Sequence, residues 1–170
     1  DLLSIVPEEP DGINDWYVSQ PYVFFNPIVG LESIYYRIDN GCWKTYTSPI
    51  AQDWSDGYHI FEARAYLEGG GEIFDLIEFK QDTTKPQLFS PEIFQTPFSI
   101  KTNTLDETSG VFRFDFYYDS VYVHTDEEEP FTWNPSNDQI VRGMHTIRTI
   151  VFDNAGNINE ENVDVWIIKN

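Results

Sequence analysis

Gly57-Tyr58-His59-Ile60-Phe61-Glu62-Ala63-Arg64-Ala65-Tyr66 returns 86 positions later as Gly143-Met144-His145-Thr146-Ile147-Arg148-Thr149-Ile150-Val151-Phe152. Glycine, histidine and the apolar alternation fall in matching places. Alternation with a period of two places Phe61, Ala63 and Ala65 on one face of a strand. A repeat at this spacing divides the 170 residues into two modules of about 80 residues each. The expected boundaries are 1–81 and 82–170.

Working outward, strand signals dominate, and no dozen residues sustain an uninterrupted apolar period of 3.6. Trp16-Tyr17-Val18 and Tyr22-Val23-Phe24-Phe25 form two early strands. From Ser33 to Ile38, residues Ile34, Tyr36 and Ile38 share the expected core face. Asp39-Asn40-Gly41 is a hairpin turn, because these residues tolerate positive φ. It leads into Trp43-Lys44-Thr45-Tyr46. Gly69-Gly70-Gly71 turns the glycine-histidine strand back, and Ile73 to Phe79 closes the first module with Ile77 and Phe79 on one face. In the second module Phe112, Phe114, Phe116 and Tyr118 alternate with polar or outward positions. Asp119-Ser120 turns that strand into Val121-Tyr122-Val123, and Val163 to Ile168 closes the sheet. About seven strands per module, with turns every eight to twelve residues, predict an all-β fold of two tandem Ig-like antiparallel β-sandwiches. The 16% aromatic content supplies the large side chains that fill the space between sheets.

The same residues resemble the tandem Ig-like repeats of bacterial and archaeal cell-surface and secreted proteins. In the first module the resemblance lies in Pro10-Asp11-Gly12-Ile13-Asn14-Asp15-Trp16-Tyr17, Ile34-Tyr35-Tyr36-Arg37-Ile38-Asp39, Gly41-Cys42-Trp43 and Tyr46-Thr47-Ser48-Pro49. In the second it lies in Asp82-Thr83-Thr84-Lys85-Pro86, Ser109-Gly110-Val111, Gly143-Met144-His145-Thr146-Ile147 and Asp153-Asn154-Ala155-Gly156-Asn157. The resemblance implies an extracellular or cell-surface segment of a larger protein, prokaryotic in origin. Its role would be spacer, adhesion or display, and its partners the neighbouring domains of the same polypeptide and a protein or glycan ligand. The alternative is an accessory module of a secreted hydrolase that binds carbohydrate or positions substrate. The first module departs from the pattern at Leu67-Glu68-Gly69-Gly70-Gly71-Glu72, where the second has the Asp153 to Asn157 turn.

Charge narrows the partners. A net charge of −19 repels phosphate backbones and anionic lipid surfaces, so nucleic acid is not an expected partner. No apolar stretch is long enough for a membrane-spanning helix, and the amino terminus lacks the pattern of a signal peptide, as in a segment excised from a longer chain. The seam Gln81-Asp82-Thr83-Thr84-Lys85-Pro86 has no glycine and reads as a stiff joint. The single cysteine, Cys42, excludes an intrachain disulfide; beside Trp43 it reads as a buried or half-buried structural thiol.

No enzyme is expected. His59 and His145 occupy equivalent positions, as a shared structural hydrogen bond requires, and His124 has no metal-ligand partner nearby in sequence. Gly-x-Ser-x-Gly, phosphate-loop and paired-cysteine motifs are absent. No catalytic or cofactor-binding residue is assigned. Calcium is the one metal considered, with oxygen donors from Asp82, Asp153, Asn154 and Asn157, although Asp-Asn-Ala-Gly-Asn is also a good turn without a metal. Among the tryptophans, Trp54 between Asp53 and Asp56 is the candidate for an exposed ligand-binding ring, the others being taken as core or sheet-packing residues.

Overall fold

Strands come from the alternating segments, and turns from the residues that tolerate positive φ. The computed structural model describes residues 1–47, 50 and 52–168. Its chain divides into two units, Asp1–Thr83 and Thr84–Asn170. The division falls after two backbone ties within the first unit: Asp82 N–H donates to Tyr17 O (2.9 Å) and Thr83 N–H to Asp56 Oδ1 (2.8 Å). Among the described residues no helix is long and apolar enough to cross a membrane.

The first unit holds β1 (Leu3–Val6), β2 (Trp16–Tyr17), β3 (Tyr22–Phe25), β4 (Leu31–Ile38), β5 (Lys44–Thr45), β6 (Gly57–Leu67) and β7 (Gly71–Gln81). β1 and β3 pair as one sheet; the other runs β2-β7-β6-β4-β5, with β2 parallel to β7 and the remaining pairs antiparallel. Phe61, Ala63 and Ala65 are fully buried, as the alternation requires. Rings fill the space that the two alanines leave: Phe61 stacks on Tyr36 at 5.7 Å and meets Phe25 and Trp54 edge-on at 6.0 and 6.2 Å. The segment Ser48-Pro49, part of the family-like motif, lies outside the described residues.

The second unit holds β8 (Gln87–Gln95), β9 (Phe98–Leu105), β10 (Val111–Tyr118), β11 (Val121–Asp126), β12 (Thr132–Trp133), β13 (Gly143–Asp153) and β14 (Ile158–Ile167). Its sheets run β12-β9-β8 and β11-β10-β13-β14, all antiparallel. Phe98, Ile100 and Trp133 from one sheet pack with Phe114, Phe116, Ile147, Val151, Val165 and Ile167 from the other. Among the described residues the fold is all-β, with seven strands in each unit, in the mainly antiparallel sandwich arrangement of Ig-like modules.

One part of the sequence-derived pattern fails. Phe112 does not belong to the core: the β10–β13 register shifts between Val111 and Arg113, so the bulge puts Val111 against the core and leaves Phe112 under the Arg113 guanidinium, 5.3 Å from its ring centroid.

The repeated motif has a shared physical basis. Gly57 and Gly143 have φ of 139° and 141°, a conformation that other residues rarely adopt, so both strands begin with glycine. The histidines that follow point to the turn beyond the neighbouring strand. His59 Nδ1 lies 2.9 Å from Asp39 Oδ2, and Asp39 Oδ1 accepts Ile60 N–H at 2.9 Å. His145 Nδ1 lies 2.7 Å from Asp119 Oδ2, and Asp119 Oδ1 accepts Thr146 N–H at 3.0 Å. Both aspartates have positive φ, 49° and 47°, so each is at once a turn former and a cross-strand latch.

Candidate functional site

Two loops of the second unit bring a fully buried carboxylate, Asp153, against a half-buried one, Asp106. Asp106 ends the run after β9, Asp153 ends β13, and the pairing of β10 with β13 brings the loop before β10 beside the loop after β13. Asp106 Oδ1 accepts the N–H groups of Thr108, Ser109 and Gly110 at 3.2, 2.9 and 2.7 Å. Asp153 Oδ1 accepts those of Ala155, Gly156 and Asn157 at 2.9, 2.7 and 2.8 Å. Each aspartate thereby folds its own loop around one oxygen. Asn154 laces the loops together, its Nδ2 donating to Ser109 O and Gly110 O, both at 3.0 Å.

This arrangement leaves a polar atom unmatched. Asp153 is fully buried and its Oδ2 accepts no hydrogen bond, while carboxylate oxygens of Asp106 and Asp153 lie within 4.8 Å of one another. Burial pushes the Asp153 carboxyl above its ordinary value; hydrogen bonds from Asn157 and Gly156 oppose that shift, and the Asp106 charge adds to it. Two carboxylates at this separation suit either a shared proton or a hard cation, which takes several oxygen ligands at about 2.3–2.6 Å. The burial of Asp153 argues against a role in attacking a polymeric substrate, which has to reach both carboxylates.

Of the residues singled out for calcium, Asp153 therefore faces a second carboxylate, but Asn154 and Asn157 serve the loop framework: Asn154 through its side-chain nitrogen, Asn157 through both its backbone N–H and its side chain, which bond to Asp153. Asp82 belongs to the first unit, directly after β7, and its side chain is fully buried. Asp106 was missed in the sequence. Its signal was present in Asp106-Glu107-Thr108-Ser109-Gly110, a second Asp followed by turn residues, but that loop bears no likeness to Asp-Asn-Ala-Gly-Asn.

Trp54 is a correction. Its ring is only 8% exposed, packs edge-on against Phe79 at 5.1 Å, and donates from Nε1 to Pro21 O at 3.1 Å. The flanking acids misled because neighbouring side chains point in different directions: Asp56 turns to the Thr83 amide while the indole enters the core. Cys42 is the opposite correction, since it is exposed and lies in the link between β4 and β5, outside either strand.

Comparison with known proteins finds no matching family model and no match among curated proteins. Solved structures do show similarity. The fibronectin(III)-like modules of Clostridium thermocellum CbhA align over 97% of this chain and 93% of theirs, at 18% identity and a TM-score of 0.43. A tetra-tandem repeat from the extending region of a large adhesion protein aligns over 97% of this chain and 48% of its own, at 14% identity and a TM-score of 0.45. Likeness at this level bears on fold alone.

Proposed function

We propose that the chain is a non-catalytic spacer, adhesion or display segment of a larger extracellular or cell-surface protein. The observation that carries this reading is how the units use their reactive groups. His59 and His145, the side chains best suited to acid–base work near neutral pH, are both engaged by turn aspartates in the same framework latch. The test fuses the chain between a surface anchor and a terminal epitope. Antibody access should fall when Thr84–Asn170 is deleted; undiminished access would count against the spacer role.

Within the second unit, Asp106 and Asp153 are proposed to hold calcium. The support is the unmatched, buried Asp153 Oδ2 facing a second carboxylate. Calcium at ten times its Kd adds about 1.4 kcal/mol of stability, or roughly 6–10 °C in the melting temperature of a unit this size. Asp153→Asn keeps an oxygen for the three N–H donors but removes the charge. It should melt no lower than wild type in EDTA and gain nothing from calcium; a wild-type melt indifferent to calcium excludes the site.

A further inference from the structure

We infer that the outer face of the first unit's larger sheet carries a binding groove for an anionic sugar, a uronic acid residue of a polysaccharide. The site stands whether or not the chain acts as a spacer. Register places its residues. Ile34, Ala63 and Ala65 point into the core, so Tyr35, Arg64 and Tyr66 point outward; Tyr35 pairs with Arg64, and Arg64 in turn with Phe74 on β7. Trp43 joins them from the link before β5. Tyr35, Trp43, Arg64 and Tyr66 line an open groove of about 390 Å³, within the usual range for a small-ligand site. The two tyrosine rings stand nearly perpendicular, 82° apart with centroids at 5.9 Å.

The charges are unevenly committed. Arg37 and Arg64 lie 4.9 and 4.8 Å from the Trp43 ring centroid. Arg37 is bidentate to Glu62, at 2.5 and 2.7 Å, and is thereby spent. Arg64 is held by rings, with Phe74 at 5.8 Å on its other contact, while its carboxylate neighbour Glu72 stands at 4.0 Å. Its side chain is 45% exposed. In a chain of net charge −19, Arg64 feels the charges of Glu72 at 4.0 Å and of Glu62, but it is packed on aromatic rings and donates a hydrogen bond to neither, so its donor fork remains for an anion from outside.

A sugar fits this groove better than an acidic peptide. β4 pairs with β5 and β6, and β6 with β4 and β7, so the backbone beneath the groove is committed to the sheet and side chains form its walls; the bordering edge strand, β5, is only the two residues Lys44–Thr45 and offers little to pair with. An extended peptide depends on free strand edges for its main-chain hydrogen bonds. A uronate instead offers an apolar ring face to the aromatic walls and a carboxylate to Arg64.

Titration calorimetry with trigalacturonate, neutral xylohexaose and polyglutamate tests the assignment. Wild type should bind trigalacturonate, more weakly at high salt. Trp43→Ala and Arg64→Gln should each weaken it at least tenfold, and Trp166→Ala, which removes an exposed ring of the second unit, should leave it unchanged. Melting curves of each variant separate lost binding from lost folding. Cys42, exposed beside Trp43, gives a check that needs no substitution: saturating trigalacturonate should slow its alkylation by a bulky maleimide. Absence of trigalacturonate binding, equal affinity for xylohexaose or polyglutamate, or alkylation indifferent to the sugar would each overturn the proposal.

Discussion

The first unit leaves its glycine-histidine strand through an exposed hairpin, Leu67 to Glu72, and the second leaves the equivalent strand through Asp153 to Asn157. In the hairpin Gly70 N–H bonds back to Leu67 O at 3.0 Å, with Gly69 and Gly70 at φ of 92° and 93°. In the second unit a buried carboxylate gathers three N–H groups and faces another carboxylate. The units also finish their smaller sheets differently. The second has β12 paired with β9; in the first, the Gln52 amide bonds the backbone of Val23, Oε1 accepting its N–H at 2.7 Å and Nε2 donating to its carbonyl. One strand with its latch is thus compatible with two kinds of turn and two ways of satisfying a sheet edge. The backbone needs its hydrogen bonds met, and a side chain or a strand will serve.

Core truncation should give the largest effects and should show how far the two cores are separate. Phe61→Ala in the first unit and Phe116→Ala in the second should each cost about 3–5 kcal/mol. Denaturation followed by NMR should assign each loss to the substituted unit; equal losses in both would erase the distinction.

The turns come next. Asp153→Ala leaves three N–H groups without their acceptor and should cost about 2–4 kcal/mol, whereas Glu68→Ala on the exposed hairpin should stay within about 0.5 kcal/mol. Equal costs in urea titrations would show that the buried carboxylate is not what fixes its loop.

The latch is where the units should agree. Asp39→Ala and Asp119→Ala should each lower stability by about 1–2 kcal/mol, as removal of a side chain that bonds backbone N–H does. The pH dependence carries more information. His145 and the Thr146 N–H hold the Asp119 carboxyl below its ordinary value. Its contribution is therefore complete above the ordinary carboxylate range and is lost as pH falls through it. Asp153, raised by burial, acts with the opposite sign: in metal-free protein, stability falls as pH rises through its elevated pKa. Melts from pH 3 to 7 should show the Asp119→Asn curve without the first slope and the Asp153→Asn curve without the second. Retention of either slope would assign it to other groups.

Gln52→Ala should have a smaller effect than the cores, the buried turn or the latch, about 1 kcal/mol confined to the first unit, with faster hydrogen exchange at Val23. Unchanged exchange would show that solvent serves the edge as well as the amide does.

Much of the frame was legible. Period-two alternation located β4, β6, β7, β10 and β13, because burial of one sheet face leaves that trace directly. β8 and β9 were not assigned from the sequence, and β12 is only two residues long; the exposure pattern of β8 does not separate cleanly into two faces. At the candidate site Asp153 was legible as part of a turn motif. Asp106 was not, since it lies 47 positions earlier and meets Asp153 only through the pairing of β10 with β13. The outward tryptophan was mistaken for the inward one, because local charge around Trp54 carries no information about which way its ring points.

By itself, then, the sequence determined the all-β class, the repeated strand and the shared face of Phe61, Ala63 and Ala65. These follow from interactions within a strand or a turn, where neighbours in space are neighbours in the chain. Only the tertiary structure decided that Asp106 faces Asp153, that Gln52 serves the edge of β3, and that Trp43 stands beside Arg64 while Trp54 is sealed inside. Those outcomes depend on which strands pair and in what register, and sheet pairing joins residues whose separation along the chain gives no hint of contact.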